Sequence, residues 1–192
     1  MILVIDTSAT TSAWAVVLGD GSGVHVFSTS RDNRAITTHL AKMVKGKKLT
    51  AVAVANGPGS FTGLRVGVSF GLGLAIGLRI PIIPLASLEL RAARSDVPVT
   101  AVLDAGRGRV YYLLPGGKPQ LGDPAVIPAS HPLVGDVAPK TESALVAAGH
   151  RFVPERELHD FARAAEKMLE TAREVAYGSL EIEYMQSFSA RH

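Results

Sequence analysis

Two carboxylates mark the places where this chain could do chemistry. Asp6 closes the apolar run ILVID and Asp104 closes VTAVLD, so each is expected at the C-terminal end of a strand. Open α/β sheets place ligands at those ends. Two carboxylates facing one cleft could hold a magnesium ion through water and serve a nucleotide. Aspartates at strand ends also cap free backbone amides in turns. The sequence fits both uses.

The second candidate is the stretch NGPGSFTGLRVGVSFGLGLA, residues 56–75. It is not a Walker A loop, which needs a lysine and a Ser or Thr after its last glycine. Here Gly63 is followed by Leu64 and Arg65. It is not a nucleophile elbow either, because Pro58 and Thr62, not glycines, stand two residues from Ser60. The later glycines fall inside a helix, which excludes a dinucleotide fingerprint. Ser60 or Thr62 suits a helix N-cap, and the amides beside Arg65 could receive an anion.

The helix predicted from Phe61 to Leu78 is apolar on every side. Gly63, Gly67, Gly71 and Ala75 recur every four residues and make a ridge without side chains, flanked by Leu64, Val68 and Leu72. Such a ridge lets a second backbone come close. Each mid-helix glycine costs about 0.5–1 kcal/mol relative to alanine, so a contact must offset it. A single small sheet covers one side of a helix, so this reading gives the ridge to a partner protein, with intramolecular core as the alternative.

The elements that position these residues follow from the pattern. ILVID, SAWAVVL and GVHVFS read as three strands, and RAITTHLAKMV as a one-sided helix carrying Leu40, Met43 and Val44. LTAVAVA is a fourth strand, followed by the glycine helix and the short strand IPIIP. The second half repeats the order more faintly. PVTAVLD and GRVYYLL form a hairpin, AVIP a weak third strand, TESALVAAG a helix ended by Gly149, and HRFVP a short strand. A long helix then runs from Glu155 to Ala176 with Leu158, Phe161, Ala165, Met168, Ala172 and Val175 on one face. Two β-β-β-α-β-α units in tandem predict an α/β fold of two ribonuclease-H-like lobes, as in the actin-like ATPase and sugar-kinase superfamily. The lobes divide into residues 1–93 and 94–192.

Composition narrows the class. In 192 residues, 47% hydrophobic and 19% charged, there is apolar material for a proper core. The absence of cysteine removes disulfides, thiolate metal sites and cysteine nucleophiles, and fits a reducing cytoplasm. MILVIDTS lacks the basic start of a signal peptide, and the apolar run Val66 to Leu78 is short and glycine-rich for a bilayer span. These features predict a cytoplasmic protein with no membrane segment. The net charge of +3 is partly clustered in Arg31, Arg34, Lys42, Lys45, Lys47 and Lys48. That cluster suits RNA or a solvated helix end, although no aromatics interleave for base stacking.

The glycine stretch followed by IPIIPLASLELRA, with VIDTS at the start and LDAGRGRVYYL in the second half, resembles the TsaB (YeaZ) family. The likeness is strong from Met1 to about Leu114 and weaker beyond, ending at EIEYMQ, where the family has a short terminal strand. It implies a scaffold and activator in making N6-threonylcarbamoyladenosine at position 37 of tRNAs that read codons beginning with A. It implies a homodimer in isolation, pairing with the catalytic TsaD subunit, a TsaE-type ATPase in the same complex, and indirect contact with tRNA. The interface would use the two helices of the first lobe. The catalytic paralogue carries a His-x-x-x-His pair that binds metal, and Ser87 and Arg91 stand at the matching positions here. The resemblance therefore implies no catalytic residues, no metal and no cofactor. The helix with Ile36, Thr37 and Thr38 near its start, and the loop after it, are short for the family. The alternatives are an ATPase working through Asp6 and Asp104 and, lowest, a peptidase.

Overall fold

The computed structural model describes residues 1–9, 12–17, 23–28 and 48–185. The predicted helix with Leu40, Met43 and Val44, the Ile36–Thr38 start, and all of the basic cluster but Lys48 lie outside the described residues. The first sheet contains β1 (Ile2–Asp6), β2 (Ser12–Val17), β3 (Gly23–Ser28), β4 (Ala51–Gly57) and β5 (Ile82–Ala86), in the order β3-β2-β1-β4-β5. β1 pairs antiparallel with β2 and parallel with β4. The described residues of β1 and β4 are nearly all buried, as expected of central strands covered on both faces.

The second sheet repeats the pattern. β6 (Thr100–Gly106), β7 (Arg109–Leu113), β8 (Gln120–Gly122) and β9 (Leu133–Asp136) lie in the order β8-β7-β6-β9. β6 pairs antiparallel with β7 and parallel with β9. Phe152 adds a parallel bridge to Leu133 at the edge, where the first sheet has β5.

Three expectations for this half are corrected. AVIP is not a strand: Pro124–Val126 forms a 3-10 turn, and the third strand is the preceding Gln120–Gly122. LVGD, which was assigned to no element, is the fourth strand. The helix Pro139–Ala147 therefore corresponds to the glycine helix of the first lobe, and not to its earlier helix. The long helix shrinks to Phe161–Leu169, begun by Asp160, whose carboxylate accepts from the Arg163 amide at 2.8 Å. Ala172 packs on the same core as that helix, while Val175 is extended and pairs with Ile82. Both pack against sheet-bound cores, so the apolar spacing runs on where the helix has ended.

The helices are α1 (Phe61–Leu78), α2 (Ser87–Ala92), α3 (Pro139–Ala147) and α4 (Phe161–Leu169). The layers cross the expected boundary between residues 93 and 94. α4 follows the second sheet in sequence, yet Phe161, Ala162, Ala164 and Ala165 pack on Val4, Ala15 and Ala53 of the first. α2 follows the first sheet, yet Leu88 packs with Ala101, Leu103 and Tyr111 of the second. The tail after α4 returns to the first lobe, where Leu180 and Ile182 join the core under α1.

α1 starts at Ser60, whose hydroxyl accepts from the Gly63 amide at 3.2 Å, and stops at Arg79, which turns left-handed at φ 56°. Its length and mean hydropathy of 1.5 would suffice for a bilayer crossing. Its buried side, however, is a layer of the α/β fold. An added Cβ at Gly63 would overlap the Thr7 carbonyl, at Gly67 the Thr7 hydroxyl, and at Gly71 the Val54 side chain. Leu64 and Ala75 are fully buried, Val68 nearly so, and Leu72 packs against the same core. The glycine ridge therefore meets the chain's own sheet, which corrects its expected place at a partner interface.

An added Cβ at Gly73, by contrast, meets nothing within 4 Å. Gly67→Leu should lower the stability of the isolated chain by several kcal/mol in urea unfolding, as an overpacked core does at its upper range. Gly73→Ala should leave it unchanged or raise it by up to about 1 kcal/mol.

Candidate functional site

The strand ends that could form a nucleotide cleft are occupied by the chain's own groups. Asp6 is fully buried. One carboxylate oxygen accepts from the Ser8 amide at 2.8 Å, and the other is ion-paired with Nη1 of Arg91. The same Nη1 donates to the Ser87 carbonyl at 3.3 Å, and Nη2 reaches Asp136, at the end of β9, at 3.4 Å. Burial works against the Arg91 charge, but Asp6 and Asp136 outweigh it and raise its pKa. Arg91 therefore stays a cation, and Asp6 has its counter-ion built in.

Asp104 is used differently. Its carboxylate accepts from the Ala138 amide and from the Thr141 hydroxyl, the latter at 2.6 Å, and so holds the turn that starts α3. The capping alternative is the one realised for Asp104. Arg91 ties Asp6 to Asp136, and Asp104 is tied separately to the α3 turn, so neither aspartate is left open for the paired magnesium site. Among the described residues no three His, Asp or Glu side chains gather as a metal site would require.

Ser87 and Arg91, the positions that match the paralogue's histidines, also have structural tasks. The Ser87 hydroxyl accepts from the Gly57 amide at 3.1 Å. Arg91 is the residue whose role the sequence did not reveal. The signal present was an arginine four residues after Ser87, on the same face of α2, in SLELRA.

A cavity of about 200 Å³ lies between the lobes, lined by Ala13, Leu90, Arg91, Arg94, Asp136, Glu155 and Phe161. It is smaller than the roughly 300–1,000 Å³ of pockets that take drug-sized ligands. Arg94 is paired with Glu155 and donates from Nε to the His159 carbonyl at 2.9 Å.

Of the two uses offered for the start of α1, the N-cap is the one realised. Arg65 lies 3.9 Å over the Phe61 ring, and its Nε donates to the Tyr184 hydroxyl at 3.1 Å. The Gly63 amide is taken by Ser60. Tyr184 belongs to the tail, which is not a regular strand. It is held where the Glu183 amide donates to the Asn56 carbonyl at 2.8 Å and the Asn56 side chain donates to the Glu181 carbonyl at 3.1 Å.

Among the described residues, the outer side of α1 is a further exposed face. Val66 is 37% exposed, and Ile76 and Leu78 are each 50% exposed. Ser69, Gly73 and Gly77, four residues apart, form a second small-residue ridge among them, open to solvent. The sequence contained this ridge, but the longer one beside it drew the assignment.

Comparison with known proteins gives these features a context. The chain is 34% identical over 120 residues to the tRNA threonylcarbamoyladenosine biosynthesis protein TsaB of Bacillus subtilis, a match covering 57% of this chain and 52% of that protein. It is 35% identical over 127 residues to TsaB of Escherichia coli, covering 58% and 53%. Residues 33–172 match the model of the TsaD family, tRNA N6-adenosine threonylcarbamoyltransferase. The chain belongs to the TsaB (YeaZ) family. It spans about half the length of the curated TsaB relatives it matches.

In structure, it resembles a Pseudomonas aeruginosa protein described as similar to peptidase YEAZ, with a TM-score of 0.72 and 20% identity over 96% of this chain and 99% of that one. YeaZ from the same organism gives a TM-score of 0.69 at 19% identity, with the same coverage. The two-lobed, actin-like and ribonuclease-H-like α/β fold is thus that of the YeaZ structures.

The two aspartates should differ in what they contribute. Asp6→Asn leaves a buried guanidinium without its main counter-charge and should cost about 3–5 kcal/mol in urea unfolding. Asp104→Ala removes a helix-start contact and should cost about 1–2 kcal/mol. The reverse order would show that Asp104, and not the Arg91 pair, holds the lobes' inner ends.

Proposed function

We propose that this chain is a non-catalytic scaffold and activator subunit for making N6-threonylcarbamoyladenosine at position 37 of tRNAs that read codons beginning with A. It works in the cytoplasm, paired with a TsaD-type transferase subunit, and forms a homodimer through the same face when alone. A TsaE-type ATPase joins the complex, and tRNA is met through the partner.

The observation that carries this reading is the open face of α1. Val66, Ile76 and Leu78 surround a ridge of Ser69, Gly73 and Gly77 on which another helix could pack closely. Glycine inside a helix is unfavourable unless a neighbour needs the space, and within the described chain no atom lies within 4 Å of a Cβ built at Gly73 or Gly77. The family supplies the partner. The occupied strand ends agree with a subunit that lends surface and not chemistry, and nothing favours an ATPase centred on Asp6 and Asp104.

The interface therefore moves from the residues first assigned to it towards Val66, Ser69, Gly73 and Ile76. Gly73→Leu and Ile76→Asp should leave the melting temperature near that of the parent chain. Each should weaken association with the TsaD-type subunit by about 30-fold or more, as loss of an interface hot spot does, measured by light scattering and titration calorimetry. Modification of tRNA in the reconstituted system should fall in parallel. Undiminished binding by both variants would remove this face from consideration.

A further inference from the structure

α1 carries a single charged side chain, Arg65, and it stands on the open side of the helix. Phe61, Arg65, Ser69, Gly73 and Gly77 follow one another at four-residue intervals, and all are exposed. Residues so spaced share a side of a helix. The cation therefore lies about two turns before Gly73 on the face that offers itself for docking.

Arg65 is built into this place. Phe61 lies under its guanidinium and the Tyr184 hydroxyl accepts from its Nε, so a ring face and an acceptor from the distant tail orient the plane. The Phe61 and Tyr184 rings are themselves 5.2 Å apart, and the tail backbone is tied to Asn56 on either side of Ile182. Among the described residues, however, no carboxylate pairs with Arg65. Glu181 and Glu183 lie in the same tail and neither is its partner. From Lys48 to Leu88 the chain contains no Asp or Glu at all.

We propose that Arg65, positioned by Phe61 and Tyr184, sets the specificity of the α1 face: it takes a carboxylate from the TsaD-type subunit and disfavours a second copy of this chain. The proposal rests on α1 being the docking face. A guanidinium covered by a partner loses its water, which is unfavourable unless an acceptor replaces it. The outward N–H groups of an arginine match the two oxygens of a carboxylate. A second copy brings no such group on its own α1. In a two-fold pair centred on Gly73, parallel helices set Arg65 against its own counterpart, and antiparallel helices set it towards Arg79. Both arrangements oppose like charges. One face thus discriminates between two occupants by the charge it leaves unmatched. Tyr184 is a positioning residue, acting through Arg65.

Affinities of the chain for the TsaD-type subunit of its own organism, and for itself, test this by titration calorimetry and light scattering. Both are measured at about 0.05 M and about 0.5 M salt, which differ in screening. The parent heterocomplex should weaken with salt, and the homodimer should strengthen. Arg65→Gln should weaken the heterocomplex about 30-fold at low salt, as truncating one member of a covered charge pair does, and should flatten its salt dependence. The same variant should leave the homodimer unchanged or tighter. Arg65→Lys should recover part of the loss, and Tyr184→Phe should show a smaller loss with the salt dependence kept. Unchanged heterocomplex affinity in Arg65→Gln, with Gly73→Leu still disruptive, would overturn the role of Arg65 and leave the face standing. Unchanged affinity in both would remove the face itself. Equal weakening of heterocomplex and homodimer by Arg65→Gln would overturn the selectivity. The opposite salt responses of the parent chain decide the matter should that variant fail to fold.

Discussion

A guanidinium buried between two sheets is the constraint around which the inner part of this molecule is arranged. Removing a charge from water costs several kcal/mol even after relaxation, so Arg91 requires carboxylates at fixed places. Asp6 at the end of β1 and Asp136 at the end of β9 provide them, one from each lobe. These strand ends are also where an α/β fold of this kind offers groups for chemistry. Once Arg91 has claimed them, and Asp104 is tied into the start of α3, each of these carboxylates has a partner within the chain.

The second constraint is a distance. α1 lies so close to β1 and β4 that Thr7 and Val54 occupy the space a side chain would need at Gly63, Gly67 and Gly71. Those glycines are explained by the fold alone. Gly73 and Gly77 are not, because nothing within the described chain fills the space over them. The contrast between two glycine sets on one helix separates what the core requires from what is offered outward. It also explains why the helix is apolar on every side: one side belongs to the sheet, and the other to the association proposed for this family.

The duplication gives the fold its economy and its complication. Each lobe sends its last helix to the other lobe's sheet, α2 to the second and α4 to the first. The tail then runs back beneath α1, where Tyr177 donates to the Ile80 carbonyl at 2.9 Å and Tyr184 reaches Arg65. The lobes are therefore not independent beads, and a cut between residues 93 and 94 would separate helices from the sheets they cover.

Local pattern was sufficient for the strands of the first sheet and for α1, whose bounds follow from the Ser60 cap and the run of apolar residues to Leu78. It was sufficient for the β6–β7 hairpin as well. It failed at LVGD, because four residues containing a glycine carry no alternation, and only parallel pairing with β6 makes them a strand. It failed again after Leu169, since Ala172 and Val175 keep a helical spacing while meeting opposite sides of one sheet. The sequence by itself determined most elements of the first lobe, the duplication and the family, because those reside in periodicity and motif. Which face of α1 is inside, what Asp6 and Asp104 hold, and why Arg91 is charged and buried were decided by tertiary structure, because each depends on groups brought together from 34 to 85 residues apart.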